Sequence, residues 1–480
     1  MTYRKRGVSG VHKGHSAKLS VPQLTLLALG SAVGGSFFLS TAVGLRTTGP
    51  GVLLAFGLGG FLVYIILMAL SEMTTAHPSH GSFREYAEMA FGPMASFVVG
   101  WLYWAGMVLA LSSEAVAVAL FARLWAPTVP VWIFSGIVVV GVTLVNLLDV
   151  SLFSLVESVM ASAKLLAIVA FVLLMLAVIT GLMPGRAPVG LGAARGEPLL
   201  PSGVGGLAGT MLTVLFAYAG FEVLGLAAPE AVDPKRTVRK AILLTVISLV
   251  VLYVGAMAVI LPVLPIGSIS PEVSPMVTAL RTNGFHGLAG VLNVVIMSAS
   301  ISTMLAAMYA LSRMLYSLAE EGQAPAFLRA LTPVGAPRRA LLFSGGAMLV
   351  GVVLAYLLPK QVYLFLISAG GFSLIFAYVM ILASQLVIRR REGCRLAACQ
   401  LPGYPYITWL GIILLVAVIA AMPLVPGQGA GLAAGLGLLA VIAAAYALRT
   451  RRPAAGPGPG PGPEPVDKPA EQRDDRLLLR

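Results

Sequence analysis

Residues 31–40 read SAVGGSFFLS and sit inside a run, 21–45, that is otherwise apolar and long enough to cross a bilayer. Two adjacent glycines, Gly34 and Gly35, followed by Ser36, are an unexpected choice for the middle of such a helix. Each glycine costs about 1 kcal/mol in a helix interior in water. In hydrocarbon the freed N–H and C=O groups have no water to turn to, so a break survives only where a ligand or a neighbouring helix meets it. A second interrupted run, 215–226, reads LFAYAGFEVLGL and sets Gly220, the charged Glu222 and Gly225 among apolar neighbours.

The rest of the chain fixes the setting of these breaks. Of its 480 residues 58% are hydrophobic and only 11% charged, with a mean hydropathy of +0.93. Soluble domains carry roughly a quarter charged residues, so this is a membrane protein. Apolar runs of bilayer-spanning length recur at 21–45, 51–76, 94–124, 130–149, 156–181, 205–228, 241–264, 286–319, 340–358, 361–388, 405–424 and 428–448. Twelve spans put both termini on one side, which collects 25 of the 32 Lys and Arg residues. Six fall on the other side and Lys164 falls inside a span. This positive-inside bias predicts cytoplasmic termini in the cell (plasma) membrane. It also accounts for the net charge of +13 without nucleic acid, leaving some attraction to anionic lipid.

The tails carry little. The first 20 residues are basic and polar and show no cleavage site for a signal peptide. Cys394 and Cys399 fall in a predicted cytoplasmic loop and are expected to be reduced thiols. The Gly/Pro-rich stretch 453–465 has the composition of a disordered linker. His12/His15 and His77/His80 are H-x-x-H pairs without cysteine or acidic co-ligands and read as polar loop rather than a metal site. No Walker loop, Rossmann fingerprint, H-E-x-x-H helix or nucleophile elbow is visible, so neither an enzyme nor an ATP-driven pump is expected, and no cofactor.

The two breaks open the first and sixth spans. Spans one to five, within 21–181, and six to ten, within 205–388, then form paired halves. Because five is odd, the second half crosses the membrane inverted. Residues 405–448 remain as two accessory spans, with 1–20 and 449–480 as cytoplasmic tails. Paired interrupted segments in corresponding positions point to a transporter's midplane binding site. A broken helix presents N–H groups at the start of one half and C=O groups at the end of the other. The first suit a carboxylate and the second an ammonium, so a compact zwitterion such as an α-amino acid fits both. Glycines also serve plain close packing of helices; the matched pair of breaks, one carrying Glu222, favours the binding site.

Ionisable residues inside spans are functional candidates by default, and here they are Glu72, Glu114, Glu157, Lys164 and Glu222. Lys164 is the one base far from a helix end. It is a proton carrier, a static partner of Glu157 at i, i+7, or a snorkelling side chain, and spacing alone leaves these open. Glu114 lines a cavity or caps a helix–helix contact. Glu72 and Glu157 lie near span ends, where wet structural roles are expected.

Four stretches carry a resemblance to a known family: GSAVGGSFFLSTAVGLRTTGPGVLLAF (30–56), HPSHGSFREYAEMAFGPMASFVVGW (77–101), FAYAGFEVLGLAAPEAVDPKRTVRKAI (216–242) and YALSRMLYSLAEEGQAPAFLRALTPVGAP (309–337). In this order, over residues 18 to 450, the chain resembles the bacterial amino acid permeases. These are the amino acid:proton symporters of the amino acid–polyamine–organocation (APC) superfamily. The resemblance implies an all-α membrane fold with a LeuT-like five-plus-five inverted-repeat core and two further helices. It implies that amides around Gly34, Gly35 and Ser36 hold the substrate carboxylate, that carbonyls near Ala32, Val33, Phe216 and Ala219 receive the amine, and that Ala217 is among the substrate-binding residues. Phe216 would be an aromatic lid, and Glu222 and Glu114 would lie beside the substrate. Lys164 matches a family lysine that reaches toward the unwound part of the first helix and is implied in proton coupling. Ser36 and Phe37 depart from the glycine-rich family motif, and Arg239 stands where the family usually has proline.

The expectation is therefore a secondary active permease importing an amino acid, preferably neutral, by proton symport through alternating access. The partners expected are the amino acid and the lipid bilayer, with H+ as coupling ion and no obligate protein partner. An exchanger of the same fold is the nearest alternative. A membrane sensor that binds an amino acid without moving it is the alternative of another class.

Overall fold

The computed structural model describes residues 19–77, 83–147, 150–185, 187–227, 231–270, 272–332, 336–358, 362–393 and 401–451, without the side chains of 150–158, 226–227, 234–235 and 451. The basic N-terminal tail, both cysteines, His12, His15, His80, the Glu157 side chain and the linker at 453–465 lie outside the described residues.

Helices make up every predicted span. The first is split into α1 (Val21–Ala32) and α2 (Gly35–Thr48), and α3 (Val52–Ala76) is the second. A short helix, α4 (Phe83–Phe91), leads to α5 (Pro93–Ala122), followed by α6 (Val131–Asn146) and α7 (Val150–Thr180). The sixth span is split into α8 (Gly203–Tyr218) and α9 (Val223–Ala227). Then come α10 (Pro234–Val263), the short α11 (Pro275–Thr282), α12 (His286–Glu320), α13 (Arg338–Leu357), α14 (Val362–Glu392), α15 (Tyr406–Ala421) and α16 (Gln428–Arg451). Only an element that satisfies its own backbone bonds can stand in lipid, which is why apolar runs of this length fold as helices.

Several boundaries differ from the sequence reading, the fourth and seventh spans among them. The fourth span, α6, has 16 residues, about 24 Å at the helical rise, with Pro130 fixing its start and Leu147 as its C-cap. The seventh begins at residue 234 rather than 241. Pro234 takes a first-turn position, where its missing N–H costs nothing, and the basic stretch after it extends the helix beyond the apolar run.

Packing places the two breaks together. In the helix bundle α5 runs between α12 and α14, α2 lies against α8, and α1 contacts α7, α9 and α10. Small residues permit the tightest of these approaches: a Cβ at Gly370 of α14 would lie 3.0 Å from the Gly106 carbonyl of α5. The segments leading into and out of the broken helices are also tied, Val232 donating its amide to the Leu19 carbonyl at 3.1 Å. Helices α15 and α16 pack on the outside of this core, against α8 and α14 and against α14 and α5 respectively. Leu410, Ile413 and Val416 of α15 and Leu436, Val441 and Leu448 of α16 face outward, as a lipid-exposed layer does.

Away from the breaks, several charged side chains form ion pairs. Arg84 of α4 is buried and pairs with Glu321, beside the hydroxyls of Ser96 and Ser317 at 3.1 Å each. Glu72 is buried rather than wet: Arg389 reaches it at 3.1 Å, Gln385 Nε2 at 3.0 Å and the Leu401 amide at 3.2 Å. His77 meets Glu392 at 2.8 Å.

Candidate functional site

Each break has a stated geometry. After Ala32 the chain extends through Val33 (φ −85°, ψ 92°) and Gly34 (φ −117°, ψ −174°), and α2 starts afresh at Gly35. After Tyr218 it passes Ala219 (φ −52°, ψ 145°) and Gly220 at φ +104°, a conformation that L side chains rarely adopt. A Cβ at Gly220 would also collide with the Ser31 carbonyl, so the two breaks touch through backbone.

Between the breaks lies a cavity of about 330 Å³, bordered by Ser31 and Ser36 of the first span, Phe216, Ala219, Gly220 and Glu222 of the sixth, and Glu114 of α5. It continues past Leu27, Tyr103, Met107 and Tyr309, toward the end of the bundle where α1 and α5 begin and α12 ends. On its other side the path is filled by buried aromatics. The Phe37 and Tyr253 rings stack at 3.9 Å and 11°, with Phe56 edge-on to both at 6.1 and 5.6 Å.

The freed backbone groups are engaged by side chains. The Gly35 amide donates to Glu114 Oε2 at 2.9 Å and the Ser36 amide to Glu114 Oε1 at 2.8 Å. The hydroxyls of Ser36 and Ser300 reach the same carboxylate. Glu114 thus sits at the N-terminus of α2, where amides and helix dipole favour a negative group. On the carbonyl side, Tyr253 Oη lies 3.3 Å from the Ala32 oxygen and 3.1 Å from that of Ala217. Thr303 Oγ1 lies 3.4 Å from the Val33 oxygen, and Ser31 Oγ donates to the Gly220 oxygen at 2.9 Å. The Phe216 carbonyl accepts from the Ala219 amide at 3.1 Å.

Lys164 is fully buried in α7 and reaches across to α1, donating to the Gly30 carbonyl and approaching Thr303 Oγ1 at 3.4 Å. Gly30 is one of the α1 carbonyls left over because the break removes its partner four residues on. Glu222 is held in the cavity wall by Tyr103 at 3.0 Å, the Gly220 amide at 3.0 Å and Tyr378 at 3.4 Å.

Of the residues expected from sequence, Ser36, Glu114, Phe216, Ala219 and Glu222 border the cavity; Ala32, Val33, Gly34, Gly35 and Ala217 stand behind it as backbone. Lys164 is behind α1, linked to the break by hydrogen bonds. The Gly35 and Ser36 amides and the Ala32, Val33, Phe216 and Ala217 carbonyls already have partners, and Glu114 is seated where a substrate carboxylate is expected. Tyr103, Tyr253, Tyr378, Ser300 and Thr303 were not expected. A tyrosine within an apolar span needs a partner for its hydroxyl, a general cue that named no partner.

The family profile described as amino acid permease matches residues 23–448. The chain is 32% identical over 413 residues to the γ-aminobutyric acid permease of Bacillus subtilis, covering 85% of this chain and 88% of that protein. It is 34% identical over 426 residues to the aromatic amino acid transport protein AroP of Corynebacterium glutamicum, covering 87% and 91%. Among solved structures, a manganese transporter of Eremococcus coleocola has the same fold, with a TM-score of 0.56 at 12% identity over 92% of this chain and 97% of that one. These relatives are named as permeases and transport proteins, that is, transporters rather than enzymes. The chain belongs to the amino acid permease family.

Proposed function

We propose that this permease imports a neutral amino acid by proton symport through alternating access. The observation that carries the reading is the meeting of amide ends and carbonyl ends of two broken helices at one cavity. One end suits a carboxylate and the other an ammonium, the two groups of a zwitterion. Halves 21–181 and 205–388, related as inverted repeats, would rock about this point, with the termini in the cytoplasm and the protein in the cell membrane. The cavity then opens to the cytoplasm, with the Phe37–Tyr253 stack closing the outer path.

A neutral substrate is supported by the wall beyond the breaks, which is apolar at Leu27, Met107, Leu111, Val223 and Leu374. Its acid, Glu222, already accepts three hydrogen bonds and so does not call for a basic side chain. One relative is named for γ-aminobutyric acid and another for aromatic amino acids, neither for a basic amino acid. Lys164 is the proposed proton carrier: a proton on Nζ strengthens its charge-assisted bond to Gly30, and loss of that proton loosens α1 from α7.

Uptake of pooled radiolabelled amino acids into proteoliposomes, with and without an inward proton gradient, tests this in wild type and Lys164→Ala. Gradient-driven accumulation that the variant loses supports symport. Uptake indifferent to the gradient and stimulated by amino acid loaded inside makes the protein an exchanger. Saturable binding without any uptake makes it a sensor.

A further inference from the structure

We infer that the protein carries tethered competitors for its own ligand: Glu114 and Tyr253 occupy the two backbone subsites that the carboxylate and ammonium of an amino acid take on loading. The inference rests on the amino acid reading above and specifies how that site is entered.

The Glu114 contacts are those that would recognise a free carboxylate. Its two oxygens take two successive amides at 2.9 and 2.8 Å, at the first turn of the 14-residue α2. Each amide has one proton, so Glu114 and a ligand carboxylate cannot both be held. A side chain that merely capped a helix would have no reason to adjoin a ligand path, yet Ser36 and Glu114 both border the cavity. Gly35 permits the close seat, since a Cβ there would lie 2.7 Å from Glu114 Oε2 and would clash with Ser300 Oγ.

Tyr253 holds the complementary place. Its single proton is shared between the Ala32 and Ala217 oxygens, one from each broken helix. An ammonium brings three donors and serves both fully. Loading is then an exchange of hydrogen bonds, and bare amides and carbonyls never face the dry interior, where each would be costly. A zwitterion brings a cation with its anion and leaves the net charge of the site unchanged. A lone carboxylate would add a second negative charge beside Glu114, so wild type should reject it.

That contrast gives the experiment: thermal unfolding of purified full-length protein titrated with sodium acetate against sodium chloride at equal ionic strength. Glu114→Ala should unfold roughly 5 °C below wild type. Acetate should restore most of that loss with saturating dependence, and chloride should not, while wild type stays indifferent. The isosteric Glu114→Gln, whose one carboxamide oxygen serves one amide, should show a smaller acetate response and provides the test if the alanine variant does not fold. No acetate response in either variant, or an equal response in wild type, overturns the inference. Acetate rescue without amino acid uptake would retain the competitor and sink the transport reading; uptake without rescue would do the reverse.

Discussion

The hydroxyl of Tyr253 donates to the carbonyl of Ala217 at 3.1 Å and shares its proton with Ala32 across the gap between the two broken helices. One side chain from α10 therefore joins the carbonyl ends of the first and sixth spans. Removing that hydroxyl leaves both oxygens to the ligand alone. Tyr253→Phe should bind the substrate about fivefold more tightly, the worth of one hydrogen bond near 1 kcal/mol, and turn over more slowly. A deaminated analogue should gain nothing. Equilibrium binding of the two ligands to wild type and variant measures this, and weaker binding of the amino acid by the variant would count against the bridge.

Gly220 stands at φ +104° with the Ser31 carbonyl against its Cα. Gly220→Ala should lose about 2 kcal/mol or more from backbone strain alone, with uptake falling as the two breaks are pushed apart. Thermal unfolding and uptake per folded transporter, read together, check it.

Glu72 offers the contrast of an acid held in an ion pair outside the cavity lining. It pairs with Arg389 and binds the Leu401 amide and Gln385. Glu72→Ala should cost about 3 kcal/mol by leaving the half-buried arginine without its partner. Uptake per folded molecule should stay near wild type, measured in the same vesicles. A selective loss of transport at full stability would give Glu72 a role in the cycle.

Much of this was legible in the sequence because lipid makes violations conspicuous. Gly34, Gly35 and Gly220 stand out in apolar runs, and Lys164 and Glu222 stand out as charges there. The short helices were not read. Phe83, Tyr86, Ala87 and Ala90 form a buried stripe at helical spacing in α4, but nine residues are too few for a search built on bilayer length. The partners of the breaks were hidden for a different reason. Glu114 meets Gly35 across 79 positions and Tyr253 meets Ala32 across 221. Hydroxyls and single acids within helices carry no mark of the distant backbone they will meet. Sequence could show that the helices break and what chemistry the breaks offer, but not that the protein already answers that chemistry with its own side chains.

In the proposed cycle, substrate is held by the backbone freed at the first break. Equilibrium binding of radiolabelled substrate to folded Gly35→Ala tests it most directly, with Gly57→Ala as the control because a Cβ at Gly57 meets nothing within 4 Å. At Gly35 the added Cβ is driven against Ser300 and Glu114, closing the approach to the two amides. Loss of saturable binding at Gly35 with normal binding at Gly57 is the predicted result. Wild-type affinity in a folded Gly35→Ala protein would mean that the substrate is held elsewhere.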